Sequence, residues 1–332
     1  MVPTIINAFG IGIQFFTLEY IRNMKKKKHP SKESIKGSSK LGGNKSNSKR
    51  EITTGFYALA FIDVLSQRDK LSQITAIPHS NEQKEIFLEQ WRETFGVIDE
   101  YRTMFGKFFD TFATYKPPKV SQLNSEQAEM LERLMKSEVK KQGFSDSMIY
   151  YVPLMERSDR LNISSIHNLL LGCAGTFLIG LAEKIICRGG IDVGIAGEFF
   201  RGEIYGPALY QAYHLESERA QFPRIVVGDE FCKYLVSEMN WPGNSIGTMY
   251  RRMWAKECAD WIMTDVDGTQ ILDYAGPITK KVFPSLQNSV DLALNFAYEE
   301  WEKFRMQGDV KLAGRYYMLW NYLATRREQV WK

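Results

Sequence analysis

The sequence predicts an α+β fold, with a mixed core of strands and helices followed by a helical extension. Three observations lead to this prediction. Residues 56–64 are a continuous apolar run of strand length, residues 81–112 carry apolar side chains at helical spacing, and residues 139–152 are two short stretches about a glycine turn. The first half of the chain therefore contains both strand-like and helix-like hydrophobic patterns, which is typical of a mixed α and β fold.

The first strand is predicted over residues 56–64 because its apolar run has polar sequence on both sides. The helical stretch 81–112 is expected to break at Gly96 or Gly106, since glycine weakens a helix interior. Ser125 is a suitable N-cap for a further helix over residues 125–137. Residues 139–152 are predicted to form a hairpin that turns at residues 143–146.

An apolar stripe predicts a helix over residues 166–186, and its glycines Gly172, Gly175 and Gly180 predict close packing against a sheet. After this helix the sequence predicts a strand over 188–195, a helix over 208–221 and a strand over 222–227. The whole order is βαββαβ, which is that of a ferredoxin-like core. We expect residues 229–332 to be a helical, aromatic-rich extension that either caps the sheet or mediates dimerisation.

The positive charge of the chain is concentrated in one short stretch near its N-terminus. Residues 22–50 contain eleven Lys or Arg and one Glu, so they contribute +10 to a total of +4, and the rest of the chain carries −6. A mildly acidic core argues against nucleic acid as a partner. We predict that residues 22–50 are a disordered basic linker and that residues 51–228 form the folded core domain.

Residues 1–21 are apolar but are interrupted by Asn7, Gln14 and Glu19. Together with the lysines behind them, residues 1–28 fit either a membrane or interfacial anchor or an extension buried against the protein. The four cysteines have no CxxC spacing, which predicts reduced core thiols and a cytoplasmic protein.

Two aspartates stand out for their chemistry. Asp63 ends the first strand, and Asp146 lies in the turn of the predicted hairpin. A carboxylate at the end of a buried strand requires pairing or a cation. If the two converge, they can hold Mg²⁺ or Mn²⁺ while the phosphates of a nucleotide complete the coordination shell. Two unrelated turn aspartates remain the alternative.

Four blocks resemble the class III nucleotidyl cyclases, the family of adenylate and guanylate cyclases. These blocks are residues 61–64 around Asp63, residues 143–147 around Asp146, residues 188–194 beginning at Arg188, and residues 205–225. They are similar above all to the divergent bacterial branch that includes the pyrimidine cyclases of antiphage (Pycsar) systems. The resemblance covers about half of the chain, roughly residues 56–227.

The resemblance implies conversion of a nucleoside triphosphate to a 3′,5′-cyclic nucleotide and pyrophosphate, with two Mn²⁺ or Mg²⁺ ions held by Asp63, Asp146 and the Val64 carbonyl. It also implies that backbone N–H groups of the turn at Leu65 and Ser66 bind the phosphates. Members of the family act as homodimers with shared active sites. A pyrimidine nucleotide, UTP or CTP, is the substrate that the branch suggests.

Aligning the motifs places Gln142 and Glu203 at the two base-reading positions, a pair that departs from the adenine-selective pattern. The transition-state Asn and Arg of the family fall at Tyr210 and His214, so the guanidinium must come from elsewhere. Arg224, Arg188 and Arg68 are the candidates for that role, and His214 is either a cationic replacement or a solvated helix residue.

These departures leave two alternative functions: a degenerate cyclase domain that senses a nucleotide, and a palm-type oligonucleotide synthase that uses the same two carboxylates. A separate motif outside these blocks, Asp265 to Thr269, resembles the nucleophile loop of haloacid-dehalogenase phosphatases. Too little α/β sequence follows it for that fold, and we predict a turn with Gly268 at positive φ.

Overall fold

The computed structural model describes residues 53–65, 67–72, 74, 77–113, 124–134, 136–155, 161–200 and 202–332. The predictions for residues 1–50, and for Ser66, lie outside this part of the chain. The described strands are β1 (Thr53–Val64), β2 (Lys140–Phe144), β3 (Ser147–Pro153), β4 (Cys187–Phe200), β5 (Glu203–Tyr205), β6 (Ile225–Val227), β7 (Ile262–Thr264) and β8 (Gln270–Leu272).

The described helices are α1 (Gln67–Ser72), α2 (Asn81–Trp91), α3 (Val97–Ala113), α4 (Ser125–Leu134), α5 (Asn162–Ala182), α6 (Pro207–His214), α7 (Asp229–Met239), α8 (Ile246–Ala259), α9 (Pro277–Val282), α10 (Gln287–Met306) and α11 (Val310–Gln329). A π-helical turn, Arg92–Gly96, joins α2 to α3, and a second, Leu215–Arg219, follows α6. The predicted break at Gly96 or Gly106 is wrong, since the helix continues through the first of these turns with helical φ and ψ at Trp91 and Val97.

Strand order confirms the predicted core. Within the described residues the sheet runs β2-β3-β1-β4-β6-β8-β7, with β5 paired to β4. The order β2-β3-β1-β4, antiparallel throughout, is that of a ferredoxin-like βαββαβ unit. Strand β6 is parallel to β4, and the pair β8-β7 extends that edge of the sheet.

The two faces of the sheet are covered differently. Alternate residues of β1, from Ala58 to Val64, join the large core formed with α3 and α5. The intervening residues, from Tyr57 to Phe61, belong to a smaller cluster with Ala208 and Ala212 of α6. Because side chains alternate along a strand, Asp63 lies on the α6 face.

Helix α5 is the centre of the large core, and every residue from Asn162 to Leu181 is buried. It is the one described helix long and apolar enough to cross a membrane by length and composition, but 94% of that window is buried in the protein. Its glycines do not serve the predicted contact with the sheet. A Cβ at Gly172 or Gly180 would overlap aromatic rings of α3, so these glycines allow α3 to approach α5.

The C-terminal region is less purely helical than we predicted, since it supplies β7 and β8. Both strands are only three residues long, too short for a periodic pattern in the sequence. Helices α8 and α10 pack on α5, and α11 packs on α10. The extension therefore covers the core helix and lengthens the sheet.

Candidate active site

Strand register fixes the surroundings of Asp63. On one side its Cα partner is Ser147 of β3, and on the other it is Arg188 of β4. The Ser147 hydroxyl donates a hydrogen bond to Asp63 Oδ1 at 2.8 Å. The half-buried carboxylate thus lies between a hydroxyl and a guanidinium on neighbouring strands.

Asp146 is brought to the same place by the β2–β3 turn. Ser145 has φ of 52°, the left-handed conformation that a tight turn requires, and the N–H of Val64 donates to the Asp146 carbonyl at 3.3 Å. Arg102 of α3 holds the turn from outside, donating to the carbonyls of Ser145 at 2.6 Å and Ser147 at 3.3 Å. The backbone of Asp146 therefore lies beside the end of β1, next to Asp63.

The positive charge near Asp63 is too small to balance the effects of its burial and of the neighbouring carboxylate. Burial raises the pKa of Asp63, and the nearby Asp146 raises it further, while the Ser147 hydroxyl and Arg188 lower it. Apart from Ser147, no donor to this carboxylate is found in the described part of the chain. A bound cation would relieve both the burial and the repulsion.

Arg188 is engaged by a third acid, Glu216. Its Nη2 lies 2.7 Å from Glu216 Oε1, and the Glu216 side chain is only 3% exposed. Glu216 comes from the π-helical turn after α6. A Cβ at Gly190 would overlap the backbone of Ala212 and Glu216, so glycine there lets this turn rest directly on β4. The site is thus a group of three carboxylates and one arginine, of which Glu216 is buried and the others are half-buried.

Burial, together with Asp63 and Asp146, raises the pKa of Glu216 from 4.5 to about 7, although Arg188 opposes the shift. The folded protein binds more protons at Glu216 than the unfolded chain between pH 4.5 and 7, so this group costs stability as pH rises through that window. We expect Glu216→Gln to raise the thermal unfolding midpoint at pH 8, with the gain shrinking toward pH 5.

The matched control for this prediction is Glu218→Gln, on the same turn but exposed. It should leave the midpoint nearly unchanged at both pH values, because an exposed charge is well solvated. A Glu216→Gln midpoint equal to or below that of the parent protein at pH 8 would contradict the assigned cause of the pKa shift. Differential scanning calorimetry at pH 5 and pH 8 makes the comparison.

The residues present fit a hard divalent ion. Asp63 and Asp146 offer oxygen ligands from two adjacent chain segments, and repulsion between them marks a site suited to positive charge. Among the described residues, no group of three or more His, Cys, Asp or Glu side chains forms a metal site by protein ligands alone. Two carboxylates are what Mg²⁺ or Mn²⁺ uses when substrate phosphates and water supply the other ligands.

A cavity of about 820 Å³ opens beside the aspartates on the α6 face. Ser147, which bonds Asp63, lies in its wall, and aromatic and aliphatic side chains such as Phe61, Phe144 and Tyr213 form most of the rest. A wall of this composition suits the planar base of a nucleotide, whose phosphates would then lie near Asp63 and Asp146.

Gln142 also lines this cavity, and its orientation is fixed. Its Oε1 accepts the backbone N–H of Ile204 at 2.8 Å, so its Nε2 is left to donate. Glu203 is the residue before Ile204 and is exposed on β5. The two residues aligned with the base-reading positions are therefore neighbours in the fold.

Tyr210 and His214 lie one turn apart on α6, with nearly parallel rings 6.1 Å apart. Tyr210 is 66% exposed and His214 is exposed too. Both also line a smaller cavity of about 340 Å³ on the other side of α6, next to the buried Asp192. Their predicted role concerns the site of a partner subunit and stays a prediction.

Two predicted site residues are already engaged elsewhere. The Leu65 N–H donates to the Ile186 carbonyl at 2.8 Å, so it is not free to bind a phosphate. Arg224 is 3% exposed, and its guanidinium lies 2.7 Å from both Asp265 and Asp267. We therefore correct both assignments, since an arginine buried between two carboxylates has a structural role.

The same contacts explain the phosphatase-like motif. Gly268 has φ of 81°, which confirms the predicted turn, and the two aspartates before it bind Arg224. Sequence reasoning missed Arg102 and Glu216 altogether. Arg102 stands outside the four blocks of the resemblance, and Glu216 lies in one of them with no role assigned to it. Each contacts a segment that only the fold brings near.

No protein-family model matches this chain, and no curated protein matches it. Solved structures similar to it include the guanylate cyclase domain of RhGC from Catenaria anguillulae in complex with GTP, at 12% identity, with 56% of this chain and 85% of that chain covered and a TM-score of 0.31.

Two further solved structures are similar at the same level. One is a dimeric guanylyl cyclase domain of the RhoGC fusion protein from Blastocladiella emersonii, at 10% identity, 57% and 88% coverage and a TM-score of 0.35. The other is a class III adenylyl cyclase-like ATP-binding protein from Pseudomonas aeruginosa, at 14% identity, 63% and 40% coverage and a TM-score of 0.37. Similarity this low does not assign an activity to the chain.

Proposed function

We propose that this protein is a metal-dependent nucleotidyl cyclase that converts a nucleoside triphosphate to a 3′,5′-cyclic nucleotide and pyrophosphate. The observation that supports it best is the pair Asp63 and Asp146, held together by strand register and the β2–β3 turn beside a cavity of nucleotide size. The motif resemblance points to the same reaction.

In the reaction, the ribose 3′ hydroxyl gives up its proton to water and its oxygen forms a bond to the α-phosphorus, while the bond from that phosphorus to the pyrophosphate oxygen breaks. Asp63 and Asp146 would hold the divalent ions, which lower the pKa of the 3′ hydroxyl and neutralise the leaving phosphates. Arg188 lies next to Asp63 in register and is partly exposed, so its guanidinium would donate to phosphate oxygens if it were released from its ion pair with Glu216.

Binding of the base falls to the cavity. Its aromatic walls exclude water from one side of a planar ring, and Gln142 Nε2 presents a fixed donor to an acceptor on the ring edge. The resemblance extends the proposal to a cytoplasmic homodimer with shared active sites, a pyrimidine substrate (UTP or CTP), Mn²⁺ or Mg²⁺ as the ions, and an antiphage second-messenger role.

The test is to incubate the full-length protein with each of the four nucleoside triphosphates and Mn²⁺ or Mg²⁺, and to resolve the products by mass spectrometry. A cyclic mononucleotide and pyrophosphate are the expected products. Binding without turnover would instead identify a nucleotide sensor, an alternative that the ion pair between Arg188 and Glu216 favours. Linked oligonucleotides would identify a palm-type synthase.

A further inference from the structure

The β2–β3 turn, which carries Asp146, lies at the edge of the sheet. Within the described residues β2 pairs with β3 alone, and most of its residues are exposed. Ser145 has φ of 52°, a left-handed conformation that few residues with a side chain adopt. The sheet holds this turn from one side, through the hydrogen bond from the Val64 N–H to the Asp146 carbonyl. The position of Asp146 therefore depends on what holds the other side.

Arg102 of α3 provides that second support. Its Nη2 donates to the Ser145 carbonyl at 2.6 Å and to the Ser147 carbonyl at 3.3 Å, so it bonds the residues before and after Asp146. A charged donor makes such hydrogen bonds stronger than a neutral donor does. Gly143, near the end of β2, makes room for the guanidinium, since a Cβ there would lie 2.9 Å from Arg102 Cζ.

Helix α3 is a rigid base for this arginine. Tyr101, the residue before it, is 1% exposed, and Phe105, one turn further along the helix, is fully buried. The Phe105 ring stacks on Tyr150 of β3, with the ring centroids 4.8 Å apart. Because close-packed cores leave little freedom to move, the start of the Arg102 side chain is fixed relative to the strand that leaves the turn.

Arg102 does not face the cavity that suits a nucleotide. Helix α3 packs in the large core on one face of the sheet, whereas the cavity lies on the α6 face and Arg102 is not in its wall. Both hydrogen bonds from Arg102 go to backbone carbonyls of the turn. Any effect of Arg102 on the reaction therefore has to pass through the turn and Asp146.

We propose that Arg102 is a positioning residue for the divalent ion, because it fixes the turn that carries Asp146. This inference rests on the proposed function, since it takes Asp63 and Asp146 as the ion's ligands. Mg²⁺ and Mn²⁺ prefer octahedral sites of oxygen ligands, which tolerate little error in geometry. A loosened turn gives the Asp146 carboxylate several orientations in place of one, so loss of Arg102 weakens ion binding even where the fold is intact.

The test is Mn²⁺ binding to the full-length protein without nucleotide, followed by the electron paramagnetic resonance signal of the free ion. Arg102→Met deletes the guanidinium, whereas Gly143→Ala keeps it and places a Cβ where it lies. Gly143 does not have a positive φ, so its backbone accepts alanine. We expect Arg102→Met to raise the Mn²⁺ Kd about tenfold to a hundredfold, and Gly143→Ala to raise it too.

Hydrogen exchange without metal gives a second readout that does not depend on ion binding. Both variants should exchange faster than the parent protein at residues 143–147 and at the parental rate in α5. The matched control is Arg92→Met, an exposed arginine on the π-helical turn before α3, which should change neither the Mn²⁺ Kd nor the exchange. Gly143→Ala decides the question if Arg102→Met does not fold.

Asp63→Asn separates this inference from the function on which it rests. It should abolish Mn²⁺ binding, and if it does not, the proposed metal site is wrong and the role of Arg102 falls with it. If Asp63→Asn abolishes binding while Arg102→Met and Gly143→Ala bind Mn²⁺ as tightly as the parent protein, the metal site stands and this inference is overturned. A lower unfolding midpoint with an unchanged Mn²⁺ Kd would likewise leave Arg102 a purely structural role.

Discussion

Asp63→Ala and Asp146→Ala should each reduce cyclic nucleotide formation by about a thousandfold or more, on the order of 4 kcal/mol of transition-state stabilisation. The two carboxylates would act as one unit, because both would be needed to hold the divalent ions. The fold should be retained or slightly stabilised, since burial and Asp146 already disfavour the charged form of Asp63.

The measurement is initial rate of product formation at saturating Mn²⁺, alongside the thermal unfolding midpoint of each variant. Glu328→Ala provides the control, because Glu328 is an exposed residue of α11, which packs on α10. Near-parental rates in either site variant would refute the metal assignment. A large drop in the midpoint would instead mean that the rate loss reports unfolding.

Arg224→Met should destabilise the protein by about 3–5 kcal/mol, because it leaves Asp265 as an uncompensated buried charge. Asp265 has a 6% exposed side chain, and its partner Arg224 also donates to the Arg219 carbonyl and stacks on Phe222. Arg224 therefore connects β6 to the turn between β7 and β8.

Asp267 provides the contrast, since its side chain is 40% exposed. Hydrogen bonding to Arg224 lowers the pKa of Asp267 to about 2, so its contribution to stability is present above the unfolded pKa near 4 and is lost as pH falls toward 2. Asp267→Asn should thus cost much less than Arg224→Met at neutral pH. Denaturant unfolding of both variants, and of the triple variant Arg224→Met/Asp265→Asn/Asp267→Asn, tests this.

The triple variant should recover most of the lost stability, because no charge is then left unpaired. If Arg224→Met unfolds at the denaturant concentration of the parent protein yet loses turnover, Arg224 is a catalytic residue after all and our correction is wrong.

The order of strands and helices in the core could be predicted from the sequence because each of these elements has its own hydrophobic periodicity or a residue that marks its end. Asp63 and Asp146 were found because one ends an apolar run and the other lies in a glycine turn. Strands β7 and β8 gave no such signal, being three residues each. The glycines of α5 were recognised as packing residues, but the sequence does not reveal that their neighbour is α3.

The parts of the site that escaped prediction depend on contacts distant in sequence. Glu216 has the pattern of an ordinary helix-surface acid, and only the close approach at Gly190 buries it against Arg188. Arg224 was a candidate because the family's arginine is missing from its usual position, and the sequence does not show that Asp265 and Asp267, some forty residues later, bind it. A sequence shows which residues can carry a charge or bind a metal, but it does not show which residue pairs with a buried charge.

The wholly buried helix α5 has a consequence for how the protein is made. It leaves the ribosome after α3 but well before α8 and α10, the other helices that pack on it, so a nascent chain must carry an apolar span of membrane-like composition with only part of its cover. During that interval, chaperones and the membrane-targeting machinery compete for the same segment. Expression yield should therefore depend on holdase capacity, and mutations that loosen α10 should appear as mislocalisation or aggregation before they appear as lost activity.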